Sequence, residues 1–175
     1  ESAGARCAGA TWAAAADLTG DSAADGAVDV AYDAAHGWAV AVWARDADGE
    51  PTTRADRDIR AAVFTEGTLG WGEPVAVTAG GGADFMPAVA ANATGLAVAV
   101  WCHDDDGELW VDPGLAPGED GTILAGSNVD MANADAAVLA ATFSGGGWSA
   151  PVVVHADATG PAYVQMADVV ALGDG

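Results

Sequence analysis

Two short loops carry the densest chemistry in the chain. Asp46-Ala47-Asp48-Gly49-Glu50 and Asp104-Asp105-Asp106-Gly107-Glu108 each set several carboxylates on a tight glycine turn. Calcium is a hard cation that takes six to eight oxygens, and Asp-x-Asp-Gly is half of a calcium loop. Asp46, Asp48, Glu50, Asp104, Asp106 and Glu108 are therefore candidate ligands, with Ca²⁺ as the one cofactor the sequence suggests. The full twelve-residue calcium-loop pattern is not met. The competing reading is a solvated hairpin turn, because Asp and Gly both tolerate left-handed backbone.

Other reactive residues give less. His36, His103 and His155 show no zinc spacing, and Ser144-Gly145-Gly146-Gly147 lacks the lysine and helix start of a phosphate loop. Cys7 and Cys102 allow one disulfide closing a loop of roughly 95 residues, worth about 4–5 kcal/mol in the chain-entropy picture, or else two unrelated buried thiols. Asn92-Ala93-Thr94 is an N-glycosylation triplet in a predicted turn, with Asn92 as acceptor. Among the seven tryptophans, Trp43 pairs with Trp101, and Trp12 with Trp71 and Trp148, at repeated positions that point to packing. Trp38 and Trp110 break the pattern and are the candidates for contact with a ligand such as a sugar ring. No catalytic residues are assigned. With 26 acidic residues, choosing an acid pair for glycoside chemistry would be arbitrary.

The elements that must position these loops come from an internal repeat. Residues 37–50 (GWAVAVWARDADGE) and 95–108 (GLAVAVWCHDDDGE) agree at ten of fourteen positions at an offset of 58. Ile59–Phe64 faces Val138–Phe143 at an offset of 79, and Gly70–Val77 faces Gly147–Val154 at 77. The change in offset places about 21 extra residues in the second copy, in a Gly-, Pro- and Asp-rich insert at about 109–134.

Each copy resolves into four short strands of alternating apolar and small or polar residues. They are predicted at Val28–Tyr32, Trp38–Trp43, Ile59–Phe64 and Pro74–Thr78, then at Met86–Ala91, Leu96–Trp101, Ala137–Phe143 and Pro151–His155. Alanine-rich windows at Ala13–Ala16 and Ala132–Ala141 would pass for helix on propensity, but the repeat aligns both with strands. The expected order is the last strand of a preceding unit at 1–22, whole units at 23–80 and 81–157, and the first strand of a following unit at 158–175. Four antiparallel strands form the repeat of a β-propeller blade, which needs neighbours to cover its faces. The expected fold is all-β, an incomplete ring of such blades.

Composition narrows the partners. Twenty-six acids against five arginines and no lysine give a formal charge of −21, which repels nucleic acid and anionic membrane surfaces. Half of the residues are nevertheless hydrophobic, which excludes a disordered acidic tail. No run of about 18 apolar residues exists, so no membrane insertion is expected. The acidic, lysine-free surface suits high salt or an extracellular setting, or else reflects a GC-rich genome. Residues 1–4 lack the start of a signal peptide, so either export is not used or a leader has been removed.

Several pieces together resemble the secreted, sialidase-like group of propellers. They are Pro87-Ala88-Val89-Ala90, the strand from Gly95 to Trp101, Asp46-Ala47-Asp48-Gly49, Asp56-Arg57-Asp58-Ile59 and Gly147-Trp148-Ser149-Ala150-Pro151. The likeness spans about residues 10–175. It implies a propeller at the cell surface or outside the cell, with further blades or other protein chains as partners and glycans as candidate ligands. The group's enzymes grip a carboxylate with three arginines and use a tyrosine, a glutamate and an aspartate. The strict Asp-box is absent, and three of the five arginines, Arg54, Arg57 and Arg60, cluster within one short stretch, so that set finds no place here. The expected function is a non-catalytic binding or structural module. The alternatives are part of a glycosidase whose catalytic residues lie on other blades, and an oligomeric lectin.

Overall fold

The computed structural model describes residues 17–48, 56–104, 136–156 and 168–171. These residues form two antiparallel sheets and no helix. The N-terminal sheet holds β1 (Ala24–Asp33), β2 (Trp38–Asp46), β3 (Arg57–Thr65), β4 (Gly70–Trp71) and β5 (Val75–Ala76). The C-terminal sheet holds β6 (Ala83–Ala91), β7 (Ala97–Asp104), β8 (Ala136–Ser144), β9 (Gly147–Trp148) and β10 (Val152–Ala156). Each is a meander whose outermost strand is split: β4 and β5 both pair with β3, and β9 and β10 both pair with β8. The alanine-rich stretch from Ala136 is strand, and within it Ala141 and Phe143 are buried in the core between the two sheets, where a small residue packs beside a large one. Ala13–Ala16 and the 109–134 insert lie outside the described residues.

The two sheets repeat one another in detail. Both inner strands start earlier than the alternation suggests, because each continues past a β-bulge. Ala27 (φ 50°) and Met86 (φ 52°) take left-handed backbone at these bulges, where register shifts between Gly26 and Asp29 and between Phe85 and Ala88. The first turn of each sheet closes on a side-chain carbonyl or carboxylate. Asp33 Oδ1 accepts from the amides of Ala35 (2.8 Å) and His36 (3.2 Å), and Asn92 Oδ1 accepts from those of Thr94 (3.1 Å) and Leu96 (3.2 Å). Each turn then needs positive φ, supplied by Gly37 (65°) and Gly95 (83°).

Directly paired residues share a face, so register separates the two sides of each sheet. In the N-terminal sheet, Val40–Val63, Val42–Ala61 and Ala44–Ile59 lie on one side, and Ala41–Ala62 and Trp43–Arg60 on the other. In the C-terminal sheet, Ala97–Phe143, Ala99–Ala141 and Trp101–Leu139 lie on one side, and Val98–Thr142, Val100–Ala140 and Cys102–Val138 on the other. The principal core joins the Val40 side of the first sheet to the Trp101 side of the second. Trp38 meets Phe143 edge-on there, with ring centroids 5.5 Å apart. Asp29 adds a polar tie, its Oδ2 accepting from the Val89 amide of the neighbouring sheet at 2.8 Å.

The sheets therefore stack front to back. Trp43 and Trp101 are equivalent in the repeat, yet Trp101 faces the neighbouring sheet while Trp43 faces away and packs with Ala41, Ala62 and Leu18. Ile59 sits fully buried in the shared core, whereas Val153 on the outer strand is 62% exposed. Ile59→Ala is expected to lower the unfolding free energy by about 2–5 kcal/mol. Val153→Ala should stay within about 0.5 kcal/mol. Urea unfolding of both variants against the parent chain measures the difference.

Candidate functional site

The strand ends place most of the buried acids at one end of the stack. Asp46 closes β2 opposite Arg57 at the start of β3, and Asp48 and Asp56 belong to the connection between these strands. Ligand oxygens of Asp46, Asp48 and Asp56 lie within 4.8 Å of one another. The Asp48 amide donates to Asp56 Oδ2 at 3.1 Å, while Asp56 Oδ1 is buried without a hydrogen-bond partner. Asp46 is only 2% exposed. Burial pushes its carboxyl above the ordinary range, the Asp48 carboxyl and the Asp56 charge add to this, and Arg57 opposes it from 3.4 Å.

Of the predicted ligands in this loop, Asp46 and Asp48 come together, and Glu50 lies outside the described residues. Asp56 joins them, which spacing within the loop alone did not reveal. Its signal was present in Asp56-Arg57-Asp58-Ile59, where antiparallel pairing of β2 with β3 must return the chain beside Asp46. With one ligand oxygen from each carboxylate, the three supply only part of the six to eight that a calcium shell takes, so the fit is partial. The equivalent Asp104 is 2% exposed at the end of β7, paired in register with Ala136 where the first copy has Arg57. Asp106, Glu108 and Trp110 lie outside the described residues, as does Cys7. Cys102 is buried on β7.

A second polar arrangement is built twice. Trp43 Nε1 donates to Asp25 Oδ1 at 2.9 Å, and Trp101 Nε1 donates to Asp84 Oδ1 at 2.8 Å. A buried indole N–H needs an acceptor, and the strand beyond each bulge supplies one. His103 Nδ1 lies 2.8 Å from the same Asp84 oxygen. Across the sheet boundary stands Asp58 of β3, whose carboxyl is raised by burial first and by the Asp84 charge next. Thr78 Oγ1 lies 3.4 Å from Asp58 Oδ1 and accepts the Ile59 amide at 2.8 Å.

The opposite end carries Tyr32, Asp33, His36 and Glu66. The Tyr32 hydroxyl donates to Glu66 Oε1 at 2.5 Å, which raises the phenol above its usual value. Burial alone would raise Asp33, but the His36 ring at 2.7 Å and two amides hold it below the usual carboxylate range. Asn92, the candidate glycosylation acceptor, uses its Oδ1 to close its own turn and also accepts the Thr94 hydroxyl at 2.8 Å. Trp38, a candidate for ligand contact, is half-buried at the sheet boundary against Phe143.

No protein-family model matches the chain, and no curated protein matches it.

Because Asp58 titrates higher in the folded state than in the unfolded chain, its contribution favours folding below the unfolded carboxyl pKa and is lost as pH rises through the folded value. Asp58→Asn keeps an acceptor for Thr78 and removes the charge facing Asp84. It is expected to raise the melting temperature at pH 7, with the gain shrinking as pH falls towards 4. Asp84→Ala strands the Trp101 indole N–H in the core and should cost about 1–3 kcal/mol. Thermal and urea unfolding across pH test both outcomes.

Proposed function

We propose that the chain is a segment of an extracellular or cell-surface β-propeller of the sialidase-like group and acts as a non-catalytic binding or structural module. The observation that carries this reading is the front-to-back stacking of two equivalent antiparallel meanders, each with its outermost strand split in two. Such stacking is how blades cover one another's faces around a ring. The charge of −21 with no lysine supports an extracellular setting, where such a surface keeps an apolar fold dispersed. Further blades or other protein chains are the partners this architecture calls for.

The module reading expects no release of product from a fluorogenic sialoside and no glycan-array signal that Trp110→Ala removes. Hydrolysis would favour the glycosidase alternative, and a signal lost in Trp110→Ala would favour the lectin.

A second reading adds calcium at the β2–β3 connection. It is supported by the convergence of Asp46, Asp48 and Asp56 and by the buried Asp56 Oδ1 atom without a hydrogen-bond partner. Asp46, Asp48 and Asp56 would hold the ion, which would neutralise the charge that burial disfavours. About 10 mM Ca²⁺ is then expected to raise the melting temperature by roughly 3–10 °C, the range for an extracellular site of millimolar to sub-millimolar affinity. Asp48→Asn and Asp56→Asn should each remove most of that rise. An unchanged melting temperature in the parent chain would end the calcium reading.

A further inference from the structure

One set of side chains recurs at two places in the chain. Where the two sheets meet, Val89 and Ala91 of β6 share an apolar cluster with Ala31, Trp38 and Val40 from the back of the N-terminal sheet. The repeat maps these five residues onto Val169, Ala171, Ala90, Leu96 and Val98. The structure brings the second five together as well. Residues 169–171 lie against Ala90, Leu96 and Val98, and with Asn92 they line one small cavity. Ala90 and Val98 are paired in register on the back of the C-terminal sheet, as Ala31 and Val40 are on the back of the N-terminal one.

The alternation of side chains agrees. Val89 is buried between the sheets, Val169 is half-buried, and the next residue, Val170, is 76% exposed. The backbone agrees too. Asp29 Oδ1 accepts the amide of Val30 at 2.8 Å, and Asp168 Oδ1 accepts that of Val169 at 2.8 Å. These aspartates hold one position of the repeat, immediately before the valine. β6 has Ala88 there, and its Val89 amide goes to Asp29 Oδ2 of the neighbouring sheet instead. An amide taken from water needs an acceptor. A carboxylate supplies it at all three places, from the same segment where Asp precedes the valine and from the adjoining sheet where it does not.

We infer that residues 168–171 are the inner strand of a third unit of the repeat, seated on the back of the C-terminal sheet as β6 is seated on the back of the N-terminal sheet. This assignment rests on the blade reading and names the occupant of that face, which is a segment of the same polypeptide. Continuity with the existing sheet-to-sheet interface selects it, since the same positions meet in the same register. The segment joins no ladder among the described residues. An inner strand pairs with the second strand of its own unit, and the counterpart of β7 for this one would lie beyond residue 175.

The test is thiol footprinting of the full chain, with Cys7→Ser and Cys102→Ala in every variant and Val98→Cys as the reporter. Iodoacetamide labelling, followed by mass, reads how well the segment covers the reporter. Val169→Asp puts a charge into the seat, whereas Val170→Asp puts one on its solvent side. Val169→Asp is expected to speed labelling about tenfold by favouring local opening of the cover. Val170→Asp should leave the rate within about twofold, as an exposed substitution does. Far-UV circular dichroism checks folding, and Leu96→Cys is the second reporter should Val98→Cys not fold.

Labelling that ignores Val169→Asp overturns the inference, and so does an equal rise from Val170→Asp. Val40→Cys, placed at the junction of the two sheets, keeps this failure apart from failure of the blade reading. Its thiol should react only when the whole chain unfolds. Rapid labelling there would remove the sheet stacking on which the blade reading stands. A protected thiol there, beside a reporter indifferent to Val169→Asp, ends the third-unit seat alone.

Discussion

A sheet has two faces, and in this chain both faces of both sheets are apolar enough to need cover. The contact between the aliphatic back of the N-terminal sheet and the tryptophan-bearing front of the C-terminal sheet is where that need is met. Val40, Val42, Ile59, Ala61, Ala97, Ala99 and Trp101 are almost fully removed from water along it. At about 25 cal/mol per Å² of apolar surface, this burial is the main favourable term available to a chain with no helix among its described residues. Alanine serves this layer despite its low strand propensity, because small side chains let the sheets approach around the bulky Trp101 and Phe143.

The polar groups follow from that packing. Trp101 can be buried whole only because Asp84 receives its indole N–H, and Asp84 can be nearby only because β6 continues past the bulge at Met86. The same device serves Trp43 and Asp25. The strand ends then collect Asp46, Asp58, Asp84 and Asp104 at one end of the stack, where desolvation and like charge disfavour ionisation of Asp46 and Asp58. The other end instead offsets its buried Asp33 with a histidine and two amides.

Much of this was legible in the residues. The repeat located every long strand among the described residues, and it overrode the helical reading that local propensity favours for the stretch from Ala136 to Ala141. Asp46 and Asp48 stood out by their spacing. Other features were not legible, for physical reasons. Nothing in Ala27 or Met86 announces left-handed backbone, since neither residue favours it. Asp56 becomes a neighbour of Asp46 only when β2 and β3 pair. Trp38 broke the repeat and read as a surface residue, because its role at the boundary depends on Phe143, more than a hundred residues away in the chain.

The sequence by itself determined the repeat, the strand periodicity, the antiparallel order within each unit and the strongly acidic surface, because these depend on local alternation, turn chemistry and charge count. Only the tertiary structure decided which face of each sheet is front and which is back. Alternation assigns side chains to two sides of a strand but carries no sign for which side meets a neighbour. That sign comes from the relative twist and placement of whole sheets. It leaves Trp101 sealed in the core and Val30, on the equivalent face of the first sheet, open.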